Sequence, residues 1–472
     1  MGWLQWRSLA KDSLSSKSAT AALLEGNAFL KLAIPLAAAQ LAQAAVGFVD
    51  TIMMGRLGTT ILAAGGLAST TLQMVLAVSS GLVMSVGVLA AEAYGADDKL
   101  RVEQLARQGL GLCLLLTVPA TALLWQMTPV LGWLQQPEEV GRLAQHYFSW
   151  VSIGIFPWLG FAMLRGYVSA FSLANVITVI VVIGTLFNIA GNYILGFGKL
   201  GFPRMELAGL GLASGLSFWL MFGLFLAYIV RHPQMGRYRF WRRWRRLHLP
   251  TLRRMVALGL PIAATVALEF GLFVSVTYLV GTLGSEKLAA HQIAFQTAVL
   301  VFMLPLGMSY AVTTRVGLWR GEGDQAGARR AGYVAMAIAG AVLSVVAIAL
   351  ITYRRAVIGL FLDLQDPQNA GVISLAMNLL LVSAIAQTVD AVQRMALSAL
   401  HGLQDTHIPM LICAVTFWGI GLTGGYLLCF EAGWDAVGLW IGQYGGVALG
   451  GVIFVWRFHR LTQRTTPTRQ SD

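Results

Sequence analysis

Charged residues are scarce in this chain of 472 residues. Asp, Glu, Lys and Arg together make up 11% of it, whereas hydrophobic residues make up 57%. An ordinary soluble protein contains about 25% charged residues, so this composition excludes a soluble enzyme and a disordered chain. Apolar stretches that reach the roughly 20 residues needed to cross a bilayer recur along the sequence. The sequence therefore predicts an all-α polytopic membrane protein.

Cysteine is also sparse, and the motifs of common enzymes are missing. The three cysteines, Cys113, Cys413 and Cys429, lie in apolar stretches without the spacing of metal ligands, which disfavours a disulfide framework. The sequence contains neither a phosphate-binding GxxxxGK[ST] loop nor an HExxH motif. We therefore expect neither enzymatic activity nor a cofactor.

Twelve apolar stretches are predicted to span the membrane, so both termini should lie on one side of it. Of the 33 Lys and Arg residues, 25 lie at the termini and in the even-numbered loops, and seven lie in the odd-numbered loops. The positive-inside rule then places both termini in the cytoplasm, as in a multi-pass protein of the bacterial inner membrane. The same rule explains the net charge of +12 without a nucleic-acid partner. The predicted spans are 32–54, 63–92, 104–126, 146–169, 173–196, 207–230, 252–281, 288–317, 331–352, 371–400, 406–430 and 435–457.

An internal repeat divides the chain into two halves. Residues 35–98 overlay residues 261–324 without a gap, at an offset of 226 residues. The repeat predicts two six-helix lobes, 30–230 and 252–458, joined by a basic cytoplasmic linker at 231–251. Since six is an even number, both lobes enter the membrane from the same side and the repeat is parallel. Such a duplication is typical of transporters that expose a central site alternately to each side of the membrane.

The first lobe carries a polar stripe on its first helix. Gln40, Gln43 and Asp50 are spaced so that they share one helix face. Ionisable groups inside spans are costly and mark functional sites, so we expect Asp50 to take part in ion coupling. Asn188 and Asn192, one turn apart on the fifth span, are expected to complete that site, with Ser214 beside them; hydrogen bonding between helices is the alternative role for these amides.

Two further acids, Glu269 and Asp390, lie in the middle of spans of the second lobe. Glu269 overlays Gln43 in the repeat, and Asp390 shares a helix face with Gln387 and Arg394. Carboxylate oxygens suit a hard cation such as Na⁺, and burial favours a protonated carboxyl. We therefore expect proton or Na⁺ binding at Glu269 and Asp390, although a local ion pair between Asp390 and Arg394 would leave a purely structural role.

Other polar residues are candidates for a substrate cavity. They comprise the glutamines and Ser214 already named, together with Arg394 and two residues at the start of the eighth span, His291 and Gln292.

Several of these residues belong to motifs of a known family. FVDTIMMGRLGTTILAA at Phe48–Ala64, GTLGSEKLAAHQIA at Gly281–Ala294 and VDAVQ…ALHGLQDT within Val389–Thr406 resemble the multidrug and toxic compound extrusion (MATE) transporters, and the combination of acids resembles the NorM branch. The resemblance covers about residues 30–458. It implies export of organic cations in exchange for Na⁺ or H⁺, with cation binding at Glu269 and Asp390. It further implies N-lobe coupling at Asp50, beside Asn188 and Asn192.

The sequence thus predicts a cation-coupled antiporter that exports lipophilic organic cations and drugs by alternating access. We expect it to act as a monomer, with membrane lipid as its other contact. The alternative is a lipid-linked oligosaccharide flippase, which shares the two-lobe architecture. Its pyrophosphate substrate would favour a cavity lined by several basic residues, whereas the predicted span interiors contain one arginine and three acids.

Overall fold

Twelve long helices make up most of the described chain. This computed structural model describes residues 18–133, 137–238 and 248–463. Within those ranges twelve helices are long and apolar enough to cross a membrane, which confirms the predicted all-α class. The helices are α1 Ser18–Leu57, α2 Thr59–Gly95, α3 Lys99–Trp125, α4 Glu138–Ala170, α5 Asn175–Gly196, α6 Glu206–Arg231, α7 Leu249–Gly281, α8 Ser285–Glu322, α9 Gln325–Ile358, α10 Pro367–Gly402, α11 His407–Glu431 and α12 Asp435–Gln463.

The helix breaks follow the internal repeat. Gly58 separates α1 from α2 with φ +139°, and Gly284 separates α7 from α8 with φ +114°. Residues that carry a Cβ atom rarely adopt such backbone angles, whereas glycine does so readily. Asp98 and Asp324 cap α3 and α9, each accepting a hydrogen bond from the backbone N–H three residues later. Both pairs are 226 residues apart, so the repeat seen in the sequence sets the same helix boundaries in both halves.

Two helices depart from regular α-helical geometry. Helix α5 ends in a π-helical turn at Asn192–Gly196, and α11 contains π-helical segments at Ala414–Leu422 and Leu427–Glu431. In α11 the backbone lies against α12, where a Cβ on Gly442 would come within 2.2 Å of Gly425. Small residues allow this close approach of two membrane helices.

The chain forms two compact units. One is Ala38–Ala263, and the other comprises the described residues of Met1–Ala37 and Ala264–Asp472. Helices α1 and α7 are thereby divided at positions 226 residues apart, again following the repeat. The lobe limits 30–230 and 252–458 stay a prediction, and residues 239–247 of the predicted linker lie outside the described residues.

The first part of α1 was missed by hydropathy. The predicted span begins at residue 32, but the helix begins at Ser18 and has 40 residues, or roughly 60 Å. In this added part, Glu25 accepts hydrogen bonds from Nε and Nη2 of Arg315 on α8, at 2.7 and 2.6 Å, and from Nε1 of Trp319 at 3.1 Å. Glu25 is 0% and Arg315 2% exposed. This buried pair ties the start of α1 to α8.

Replacing Glu25 by Gln should destabilise the fold strongly. The change removes the carboxylate that neutralises a buried guanidinium, at a cost of about 3–5 kcal/mol. Thermal unfolding of the purified protein in detergent, followed by intrinsic tryptophan fluorescence, measures the loss. The double variant Glu25→Gln/Arg315→Met removes both charges and should recover much of it. A single variant that unfolds at the wild-type temperature would contradict this account.

Candidate functional site

In the first half, a hydrogen-bonded chain links three helices. Asp50 of α1 accepts from Asn192 of α5, with 2.6 Å between Oδ1 and Nδ2. The same Nδ2 lies 3.1 Å from Oδ1 of Asn188, which in turn donates from its own Nδ2 to Ser214 Oγ of α6 at 3.1 Å. The hydroxyl of Tyr147 on α4 lies beside Ser214. The structure therefore brings together Asp50, Asn188, Asn192 and Ser214, the four residues that the sequence places in one group.

The partner of Asp50 is a neutral amide. Asn192 is 0% exposed and begins the π-helical turn of α5; such turns often occur at functional sites. Its Oδ1 atom is buried and has no hydrogen-bond partner in the part of the chain that the structure describes. Rotation of the amide by half a turn would present this acceptor to a protonated Asp50. The same amide can therefore serve Asp50 with or without a proton.

The two glutamines of the α1 stripe differ in their surroundings. Gln40 is buried and accepts from Nη1 of Arg165 on α4, at 2.9 Å. Gln43 is only partly buried, but its Nε2 atom is enclosed and lacks a hydrogen-bond partner within residues 18–133, 137–238 and 248–463. Gln40 thus joins α1 to α4, whereas Gln43 keeps a donor for another group.

In the second half, three charged side chains meet. Arg394 of α10 donates from Nη2 to Oε1 of Glu269 on α7, and its guanidinium carbon lies 4.9 Å from the ring centre of Phe302 on α8. Asp390 precedes Arg394 by one helical turn and is 8% exposed. Glu269 therefore pairs with this guanidinium, and Asp390 lies one helical turn from it. A cation or a proton that binds Glu269 would leave Arg394 next to Asp390.

Sodium binding at Glu269 and Asp390 stays a prediction. Among the described residues, no group of three or more His, Cys, Asp or Glu side chains is arranged to hold a metal ion. Since Arg394 pairs with Glu269 in this structure, Na⁺ would have to displace the guanidinium from at least one carboxylate oxygen.

Neutral polar groups surround these charges. Gln387 donates from Nε2 to the carbonyl of Ala298 at 3.0 Å, and its buried Oε1 has no partner among the described residues. The same holds for both buried amide atoms of Gln393, also on α10, within the described part of the chain. Tyr444 of α12 lies beside Ser383. The interior of this half thus offers unsatisfied donors and acceptors near the acids.

His291 and Gln292 lie apart from the hydrogen bonds described above. Trp440 donates to Nδ1 of His291 at 3.0 Å, and Nε2 lies 3.0 Å from Oγ1 of Thr277. Both ring nitrogens are therefore used in joining α7, α8 and α12. Gln292 is exposed on α8.

Sequence reasoning missed several participants. Tyr147, Phe302 and Tyr444 are single aromatic residues in apolar spans, where nothing in the sequence distinguishes them from core. Of these residues, only Gln393 could have been found from the sequence, because an amide in the middle of a span is uncommon. It was missed because it adjoins the predicted polar face of α10 without belonging to it.

The charges around Arg394 lead to a difference in stability between two variants. Arg394→Gln leaves Glu269 and the neighbouring Asp390 without a cationic group, whereas Glu269→Gln leaves Arg394 next to Asp390. We expect the arginine variant to lose more stability, by about 3–5 kcal/mol against wild type. Thermal unfolding in detergent at neutral pH measures both. An equal loss in the two variants would show that Asp390 does not compensate for Glu269.

Comparison with known proteins agrees with this architecture. The MatE family model matches residues 35–194 and again residues 261–427, and the two matches begin 226 residues apart, the offset of the repeat. A probable multidrug resistance protein NorM of Synechococcus sp. is 51% identical over 93% of this chain and 94% of its own length. The corresponding protein of Synechocystis sp. is 42% identical over 93% of this chain and 95% of its own.

A solved structure shows the same fold at low sequence identity. The eukaryotic MATE transporter AtDTX14 superposes with a TM-score of 0.83 and 19% identity, over 94% of this chain and 98% of its own. The family match and the bacterial relatives place this multi-pass membrane protein among transporters rather than enzymes. The chain belongs to the MATE family, in its NorM branch.

Proposed function

We propose that this chain is a secondary antiporter that exports lipophilic organic cations and drugs in exchange for Na⁺ or H⁺. One observation carries the proposal: each half holds a part-buried acid whose partner can be exchanged. Asp50 is held by a neutral amide, and Glu269 accepts from Arg394, with the buried Asp390 one helical turn from that arginine. Acids of this kind favour a cationic substrate over an anionic one. The names of the bacterial relatives, multidrug resistance proteins, support drugs as the substrate class.

The proposed cycle links ion and substrate through these acids. An inward-moving ion binds the acids from the outside and lowers their affinity for the drug, which leaves. After alternating access exposes the acids to the cytoplasm, the ion dissociates and a new drug binds. Opposed binding at shared or coupled acids supplies the free-energy linkage that antiport requires.

The different surroundings of the two acidic sites suggest a different coupling ion for each site. Asp50, whose partner is a neutral amide, can bind or lose a proton without breaking an ion pair. Glu269 and Asp390 together with Arg394 carry a net charge of −1 when ionised, and one bound Na⁺ would neutralise them. We therefore assign proton coupling to Asp50 and Na⁺ coupling to the second half.

Transport in liposomes tests this assignment. Purified protein is reconstituted with a fluorescent organic cation inside, and a pH gradient or a Na⁺ gradient is imposed separately. Dye movement driven by the pH gradient should be abolished in Asp50→Asn, because the amide cannot bind a proton. Movement driven by Na⁺ should be abolished in Glu269→Gln and Asp390→Asn.

A matched control removes an acid elsewhere. Glu139 is exposed at the start of α4, so Glu139→Gln should transport like wild type under both gradients. Dye that moves under neither gradient in the wild-type protein would overturn the antiport proposal and favour the lipid-linked oligosaccharide flippase.

We also propose that the protein lies in the bacterial inner membrane as a functional monomer, with both termini in the cytoplasm. The excess of Lys and Arg on one side supports this orientation. A fluorescent protein fused to the C-terminus should then fluoresce in intact cells, while an alkaline phosphatase fusion at the same position should be inactive. The reverse pattern would invert the topology.

A further inference from the structure

The guanidinium of Arg394 lies in surroundings that suit an organic cation. Its Nη2 atom donates to the carboxylate of Glu269, and its central carbon lies 4.9 Å from the ring centre of Phe302. Aromatic faces attract organic cations, and the carboxylate supplies the opposite charge. All three side chains belong to the same compact unit. Arg394 therefore occupies, as part of the chain, a site that a free organic cation could also take.

Arg394 is held less completely than the other buried arginine of this half. A guanidinium has several N–H donors in a fixed fork. Among the described residues, Arg394 makes one hydrogen bond, to Glu269, and its Nε atom is buried without a partner. Arg315, by contrast, donates from both Nε and Nη2 to Glu25. The guanidinium of Arg394 therefore loses little hydrogen bonding when another cation displaces it.

A second place for the guanidinium lies on its own helix. Asp390 precedes Arg394 by four residues on α10, and an acid four residues before a base is the favourable order for an ion pair along a helix. Within the described part of the chain, the carboxylate of Asp390 accepts no hydrogen bond. Rotation of the Arg394 side chain, without movement of the backbone, is therefore enough to transfer the guanidinium from Glu269 to Asp390.

Glu269 and Phe302 are the more accessible members of this group. Both are partly exposed, whereas Asp390 and Arg394 are each 8% exposed. A ligand therefore meets the carboxylate of Glu269 and the ring of Phe302 before it meets the other two side chains. The tethered guanidinium, which is already buried, reaches Asp390 more readily than a bulky ligand does.

The first half has no equivalent of this site. At the offset of the repeat, Glu269 corresponds to Gln43 and Phe302 corresponds to Leu76. Neither the negative charge nor the aromatic ring is present at those positions. The site is therefore a property of the second half and does not follow from the duplicated backbone.

We propose that Arg394 occupies the substrate site of the second half until a singly charged, aromatic organic cation replaces it on Glu269 and Phe302 and the guanidinium moves to Asp390. After this exchange Glu269 faces the substrate and Asp390 faces Arg394, so each acid has a cationic partner. A dication is disfavoured, because its second charge is repelled by the arginine that remains beside the site. The inference rests on the antiport proposed above, and it names the substrate class and the residue that selects it.

Equilibrium binding to the purified full chain in detergent tests the proposal without an ion gradient. The probes are ethidium, a fluorescent aromatic monocation, and propidium, which has the same ring system and a second positive charge. Fluorescence anisotropy in Na⁺-free potassium buffer measures the Kd of each. Arg394→Gln should bind ethidium more tightly than wild type does. The ratio of propidium to ethidium affinity should rise about 10-fold, as for two unit charges roughly 10 Å apart at a dielectric constant of about 20.

The ring of Phe302 gives a second test, which leaves the charges intact and applies even if Arg394→Gln fails to fold. Phe302→Leu should weaken ethidium binding about 3- to 30-fold, the range of one cation–π contact. Phe302→Tyr keeps the aromatic face and should bind ethidium as wild type does. Arg355 and Phe361 are exposed in the same half, so Arg355→Gln and Phe361→Leu are matched controls that should leave both Kd values unchanged.

Three results would contradict the proposal. Ethidium binding that is unchanged or weaker in folded Arg394→Gln protein would show that the guanidinium does not compete with the ligand. An unchanged ratio of propidium to ethidium affinity would show that Arg394 does not select by charge. A wild-type Kd for ethidium in Phe302→Leu would remove the ring from the site.

The binding and transport experiments can fail separately. Dye transport under a gradient, with a Kd that depends on neither Arg394 nor Phe302, would leave the antiport intact and overturn this inference alone. Ethidium binding that responds to Arg394 as expected, in a protein that moves no dye under either gradient, would overturn the antiport alone.

Discussion

A charge withdrawn from water inside a membrane-spanning helix must be compensated, and this constraint determines the polar contacts on which the rest of the structure depends. Glu25 is the most complete example of such compensation. Both of its carboxylate oxygens accept from Arg315, and neither residue is appreciably exposed. The two residues are 290 positions apart in sequence. Their pairing therefore holds the first helix of the chain against a helix of the second half.

The completeness of the pairing distinguishes Glu25 and Arg315 from the acids to which we assign ion coupling. Both carboxylate oxygens of Glu25 accept from Arg315, so this pair is saturated. Arg394 instead pairs with Glu269 while a second acid, Asp390, lies one helical turn away, and Asp50 faces only an amide. A site that must take up and release an ion needs such incomplete compensation, because a saturated pair would have to be broken at a cost of several kcal/mol in every cycle.

The helices could be predicted from the sequence, but the partners of their charges could not. Apolar length and the register of the repeat are local properties, so Gly58 and Gly284, or Asp98 and Asp324, mark the same breaks in both halves. Contacts between helices are not visible in the sequence of either helix. The sequence predicts that Arg394 pairs with Asp390 one turn away, whereas in the structure Arg394 donates to Glu269 of another helix. Likewise, hydropathy could not show that Arg315 lies opposite Glu25, a residue 290 positions away.

Duplication explains why the two halves share a backbone while differing in chemistry. At the offset of the repeat, Asp50 corresponds to Val276, and Gln43 corresponds to Glu269. The acid of the first half therefore has no counterpart in the second, and the acid of the second replaces an amide of the first. One half places a neutral amide on its acid, whereas the other places an arginine on Glu269, with Asp390 one helical turn away. Under the antiport proposed above, the first arrangement takes a proton and the second a cation, so that one duplicated fold holds two points of coupling.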